Sequence, residues 1–167
     1  QMKTLVSLKI PGCKKITNYT FQSLVEKHVL YGPKPTGGLP NLVLLEISDN
    51  KHVDDMTLSW IAAGCDGLQS FTLRHCHTNF DLGCRNFGYM KFLTYLDLSF
   101  CNGITDTGLR YLSLGGCGRK LKTLKFQNMN SVSDGPILMF LLSCTSVTDL
   151  DLSGTINLSD KNAAICL

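Results

Sequence analysis

Residues able to do chemistry are present in this chain, but their spacing serves packing. The densest grouping is His75-Cys76-His77 with Cys84 downstream, drawn from four histidines and eight cysteines in 167 residues. Imidazole and thiolate are the ligands zinc prefers, yet structural zinc sites supply them as close pairs such as C-x-x-C, and no such pair occurs here. A cysteine nucleophile would need a base held within hydrogen-bonding reach in an enclosed pocket. The one glycine-dense stretch, Gly115-Gly116-Cys117-Gly118, reads as a helix end, where glycine adopts the left-handed conformation, rather than as a phosphate-cradling loop. The expectation is a chain with no catalytic residue, no cofactor and no metal ligand.

The cysteines themselves show why. Cys13, Cys76 and Cys101 fall on one position of a recurring phrase, shared by Asn50, and Cys65, Cys117 and Cys144 fall on a second; the remaining two, Cys84 and Cys166, lie in helical stretches. A disulfide framework would have no reason to follow such a period, so these thiols read as small packing side chains in a reducing compartment. That places the protein in the cytoplasm, with the nucleus or a cilium as alternatives. The sequons at Asn18 and Asn157 are read as chance, since Asn18 occupies a helix-start position where other copies carry Asp. No run approaches the roughly 18 apolar residues that span a bilayer, and no signal peptide heads the sequence; no membrane contact is expected.

The phrase begins at Leu5, Leu42, Leu68, Leu93, Leu121 and Val147, at intervals of 37, 26, 25, 28 and 26 residues. Each copy opens as L-x-x-L-x-L, whose alternation predicts a short strand. Then follow the Cys or Asn (Met129 and Thr155 in the last two copies), an aliphatic anchor, and a Thr or Ser beside an acid or amide, as in Thr17-Asn18, Thr105-Asp106, Ser133-Asp134 and Ser159-Asp160, with Asp54-Asp55 as a variant. Side-chain oxygens there are expected to cap helices by accepting from free first-turn N–H groups. Apolar residues three apart then mark a helix face, as in Phe21/Leu24, Leu58/Ile61, Leu109/Leu112 and Ile137/Phe140. The third copy departs: Cys76 to Phe80 holds one residue too many, and the following helix carries an internal glycine, so it is expected to be short or irregular.

Strand and helix alternating at this period force parallel strands, because each helix returns the chain to the same edge. The predicted fold class is α/β: a solenoid forming a right-handed arc, with a parallel sheet on the concave face and helices on the convex face. It occupies residues 1–167 as one domain of about six repeats, the sixth partial, and is read as a segment of a longer protein because no polar end repeat appears. The extra length between the first two copies falls in 29–41, rich in Pro and Gly, and predicts a surface loop.

The stretches LTYLDLSFCNGITDTGLRYL, LVLLEISDNKHVDDMTLSWIAAGC, LKTLKFQNMNSVSDGPILMFLLSC and LVSLKIPGCKKITNYTFQSL resemble the cysteine-containing class of leucine-rich repeats found in F-box leucine-rich-repeat proteins. The resemblance covers nearly the whole chain and implies a protein–protein interaction module. It implies the substrate-recognition part of a ubiquitin ligase receptor, touching the cullin adaptor only through a flanking F-box. The alternative is a scaffold subunit of a large assembly such as the ciliary axoneme, in its dynein regulatory complex.

A net charge of +3 gives no basic stripe for nucleic acid, and the concave rows alternate in sign. Between the apolar strand positions lie Lys9, Glu46, Thr72, Asp97, Lys125 and Asp151, flanked by a row with Leu44 and Tyr95 and a row with Ser48, Arg74, Ser99 and Gln127. Aromatics and arginine dominate protein-binding hot spots. The expected protein-partner surface is therefore Leu44, Glu46, Arg74, His75, Tyr95, Asp97, Phe100 and Lys125.

Overall fold

The computed structural model describes residues 3–25, 38–161 and 164. Six strands of three residues each form around the second apolar residue of each phrase: β1 Ser7–Lys9, β2 Leu44–Glu46, β3 Ser70–Thr72, β4 Tyr95–Asp97, β5 Thr123–Lys125 and β6 Asp149–Asp151. Between them run α1 Asn18–Val25, α2 Asp55–Gly64, α3 Asp81–Gly88, α4 Asp106–Gly115 and α5 Asp134–Ser143, with a short 3₁₀ helix, Cys117–Lys120, after α4. The strands pair in parallel in chain order, and the register aligns Leu8, Leu45, Phe71, Leu96, Leu124 and Leu150 in one column.

That column and the leucines flanking it point between sheet and helices. Leu42, Leu68, Leu93 and Leu121 are fully buried, as are Leu96 and, nearly so, Leu98. Helix residues Leu58, Ile61, Leu109, Leu112, Ile137 and Phe140 meet them from the other side. Burial of one such side chain contributes roughly 1.5–3 kcal/mol, and every repeat supplies several, so the core is one continuous slab shared by neighbours. Leu24 of the expected helix face lies among residues whose side chains are outside the described set, and only the last four residues of the 29–41 loop are described. There Leu39 is buried and its N–H donates to the Gly64 carbonyl.

The position holding Cys or Asn has a polar task as well as a steric one. Asn50 donates its amide to the carbonyls of Ile10, Ile47 and Ser48, Cys76 donates its thiol to the Asn50 carbonyl, Cys101 to that of Leu73, and Thr155 its hydroxyl to that of Phe126. Each satisfies a buried carbonyl of the preceding repeat that no strand partner reaches, and an unsatisfied one would cost about 1–3 kcal/mol. None of the seven described cysteines is in a disulfide; Cys166 lies outside the described residues. Burial pushes the Cys65 thiol up to about 11 and the Cys117 thiol up to about 12.

The helix starts differ in part from expectation. Asp54 caps α2 in a reciprocal box with Thr57, and the Thr105 hydroxyl accepts from the Thr107 N–H, as the sequence implied. Ser133 makes no cap bond; its hydroxyl donates to Asp106 of the repeat before (2.7 Å), whose other oxygen accepts the Ser133 N–H (2.6 Å). The same pair of bonds joins Asp81 to Thr105 and Asp134 to Ser159. Asp81, Asp106 and Asp134 thus face the next repeat rather than their own helices. The third copy is the exception the spacing predicted: α3 has 8 residues against 10 in α2, begins after Phe80 without a side-chain cap bond, and its first amide bonds the Asn79 side chain instead.

Candidate functional site

After each strand the chain turns through one left-handed residue, and the same position is used in all six repeats: Gly12, Asp49, His75, Phe100, Asn128 and Gly154, with φ between 53° and 70°. Asp, Asn, His and Gly tolerate that conformation, whereas the Phe100 ring there carries an intrinsic cost of about 1–2 kcal/mol. Phe100 is therefore held by its surroundings, and His75 shares them. Their N–H groups donate to the carbonyls of Ser99 and Gln127 on the next repeat. Their rings stack, with centroids 4.4 Å apart and planes inclined by 18°.

Arg74 completes this edge. Its guanidinium lies 5.5 Å from the Phe100 ring centre, its Nε is 3.8 Å from Asp97 Oδ2, and its terminal nitrogen donates to Gln127 Oε1 at 3.4 Å. Gln127 in turn donates to Asp151 Oδ2 at 2.5 Å. The Ser153 hydroxyl and amide, donating to Asp151, hold that carboxyl below its usual range. A chain of cation, amide and carboxylate thus crosses four repeats with a stacked aromatic pair beside it. Guanidinium over an aromatic face contributes roughly 0.5–2 kcal/mol depending on desolvation, and here it also fixes the arginine before any partner arrives.

Toward the strand centres the open face of the sheet holds a depression of about 370 Å³, lined by Lys9, Leu44, Glu46, Ser70, Thr72, Arg74, Tyr95 and Asp97. Strand register explains this grouping: Leu44, Ser70 and Tyr95 share one row and Lys9, Glu46, Thr72 and Asp97 the next. Of the eight residues the sequence singled out, five line the depression. His75 and Phe100 sit at its edge on the turns beyond the strands. Lys125 lies one strand further along, beside Asp97 in register and outside the lining. Burial, and then the Asp97 charge, push the Tyr95 hydroxyl above the usual phenol range.

Three placements differ from the sequence reading. Asp97 lies under Arg74, 4% exposed, and accepts the Ser99 N–H, so it supports the arginine more than it meets solvent. Ser48 and Ser99, expected in an outward row, are buried because their hydroxyls accept the N–H groups of Arg74 and Gln127 on the following repeats. Gln127, in the same row as Arg74 but outside the expected partner surface, joins the site by accepting from the arginine, and its place in that row is the signal that points to it. Among the described residues no group of three His, Cys, Asp or Glu is placed to hold a metal, and no helix is long and apolar enough to cross a membrane.

The family model described as "Leucine Rich repeat" matches residues 89–113, from the turn before β4 through most of α4. Among solved structures, a chain in the crystal structure of the yeast Rad7 and Elc1 complex superposes with a TM-score of 0.60 at 19% identity, over 95% of this chain and 44% of that one. The fold is a leucine-rich-repeat solenoid. The chain spans less than half the length of that neighbour. Leucine-rich repeats are interaction modules that bind protein partners through surfaces their stacked strands and helices hold rigid, and the depression with its stacked edge is a surface of that kind.

Proposed function

We propose that this solenoid is the substrate-recognition array of an F-box-type ubiquitin ligase receptor, and that it receives its target protein on the open sheet face at Leu44, Glu46, Arg74, His75, Tyr95 and Phe100. The observation that carries the site is the preset arginine: Arg74 is fixed by Asp97, Gln127 and the Phe100 ring while 39% of its side chain remains exposed. A side chain already held in place loses little rotamer entropy on binding, which otherwise costs about 0.5–1.5 kcal/mol. Arginine with adjacent aromatics is the composition that concentrates binding energy, and mixed charges along the row from Lys9 to Asp151 would set the partner's register. The ligase assignment is supported by the cysteine-bearing repeat pattern, and the likeness to a chain solved in a two-protein complex fits a role in assembly.

Two experiments divide these statements. Replacing both Tyr95 and Phe100 by Ala should weaken capture of the native partner by more than about 2 kcal/mol, roughly thirtyfold, while circular dichroism stays unchanged. Capture that survives the double replacement sinks the open-face site. Co-purification of the full-length protein with a cullin adaptor tests the ligase role separately, and its absence under conditions that retain the partner would refute that role and leave the site standing.

A further inference from the structure

The rim where the helices begin is mixed in charge, with Asp54, Asp55, Asp81, Asp106 and Asp134 at the helix starts and Lys14, Lys15 and Lys51 in the turns before α1 and α2. At the opposite rim, where helices end and strands begin, stacking of equivalent positions brings Lys91 beside Arg119 and Phe92 beside Lys120. The next column aligns Thr94 with Lys122, whose N–H donates to the Thr94 carbonyl. The Lys120 ammonium lies 5.9 Å from the centre of the Phe92 ring. The α3 and α4 ends approach so closely that a Cβ on Gly115 would collide with the Gly88 backbone, which draws the 3₁₀ helix and its two cations against the Tyr89–Phe92 turn.

Beside this basic rim, between the ends of α2 and α3, opens a groove of about 480 Å³ with a predominantly apolar lining that includes Ala62, Ala63, Tyr89, Met90 and Phe92. The alanines leave the space, Met90 is buried at the wall, and Tyr89 and Phe92 stand 59% and 55% exposed around it. These two large exposed aromatics, on the turn that precedes β4, have no role in the core or in the site above.

We propose that this groove docks an acidic segment of a partner protein, seating one or two apolar side chains between Tyr89 and Phe92 while its carboxylates meet Lys91, Arg119 and Lys120. The groove's volume suits a side chain or two, and the cations form a cluster on one side of it rather than a track. Asp66, in the same column as Lys91 and Arg119, lines the far lip and would repel a continuous phosphate backbone while leaving room for a peptide whose charges lie to one side. The site is separate from the sheet face and would hold a second partner or a second segment of the first.

The test uses the 167-residue chain and a fluorescein-labelled peptide of Glu-Glu-Leu repeats, read by fluorescence polarisation. Binding should occur, weaken as salt rises, and fall by about tenfold or more in Phe92→Ala and in the Lys91→Glu/Lys120→Glu double variant, while Arg74→Ala on the sheet face leaves it unchanged. Lys91, Phe92 and Lys120 are exposed and Arg74 is half-buried, and circular dichroism checks that each variant folds. No binding, equal binding of a Glu-Glu-Ser peptide, tighter binding of a single-stranded RNA of the same charge, or self-association abolished by the double charge reversal would each overturn the proposal.

Discussion

Asp81 offers the sharpest test of how the repeats hold one another. Its carboxylate is 8% exposed and accepts two bonds from the following repeat, the Thr105 N–H at 2.8 Å and the Thr105 hydroxyl at 2.6 Å. Hydrogen bonds to a charged group contribute about 1.5–3 kcal/mol each. Thr105 is half-buried, so water recovers part of that when the carboxylate is removed, and a discount of about half leaves an expected loss of about 1.5–3 kcal/mol for Asp81→Ala. In a protein of this size that lowers Tm by about 3–12 °C. Asp81→Asn keeps an oxygen for the Thr105 amide and an N–H₂ for its hydroxyl, so its loss should be near 1 kcal/mol, mostly charge. Urea unfolding followed by circular dichroism gives the global value, and hydrogen exchange at the Thr105 amide reads the contact directly. A loss below about 0.5 kcal/mol for the alanine variant, or unchanged exchange at Thr105, would show that the carboxylate is not a structural partner and refute the reasoning.

Leu96→Ala, which empties a fully buried position of the central strand, should cost about 2–5 kcal/mol in urea, and a value under about 1 would put the strand register in error. Phe100→Gly should be more stable than Phe100→Ala by about 1 kcal/mol, because both lose the ring but only glycine relaxes at φ 63°; equal melting temperatures would remove the left-handed turn from the account. The Cys65 thiol, raised from 9.0 to about 11, favours folding below about pH 9 and loses that contribution as pH rises toward 11, where the unfolded chain ionises first. Replacing Cys65 by Ala should therefore flatten the decline in stability between pH 9 and 11, and parallel curves for the two proteins would contradict it.

Sequence alone carries the repeat, the strand centres and the helix faces, because period-2 and period-3.6 patterns are printed in residue type. Leu96 and Leu98 are legible for that reason. What periodicity cannot carry is a contact between equivalent positions of different repeats. Ser48 and Ser99 read as solvent-facing by strand parity, yet they face backbone amides about 26 residues away; nothing in either local pattern marks that. Asp106 reads as a cap for its own helix because acids favour helix starts in general, and its true partner, Ser133, is 27 residues on. The left-handed turn is hidden for the opposite reason: Gly, Asn and Asp favour it in four copies, but Phe100 occupies it against its own preference and so reads as a continuation of the strand.

The bonds from Asp81, Asp106 and Asp134 all run one way along the chain, from a repeat to the helix start of its successor, and the Cys and Asn donors run backward to complete the same dependence. Strip a repeat from the trailing side, and its predecessor loses the partners of a carboxylate, of a turn carbonyl and of strand and turn amides such as those of Leu73 and His75. Strip one from the leading side, and the neighbour is left with an unpaired amide and a buried donor that water cannot reach without opening the core. Either end of a broken array therefore carries unpaired donors, so each repeat is held by its neighbours on both sides, and loss of one should loosen the next in turn rather than leave it intact.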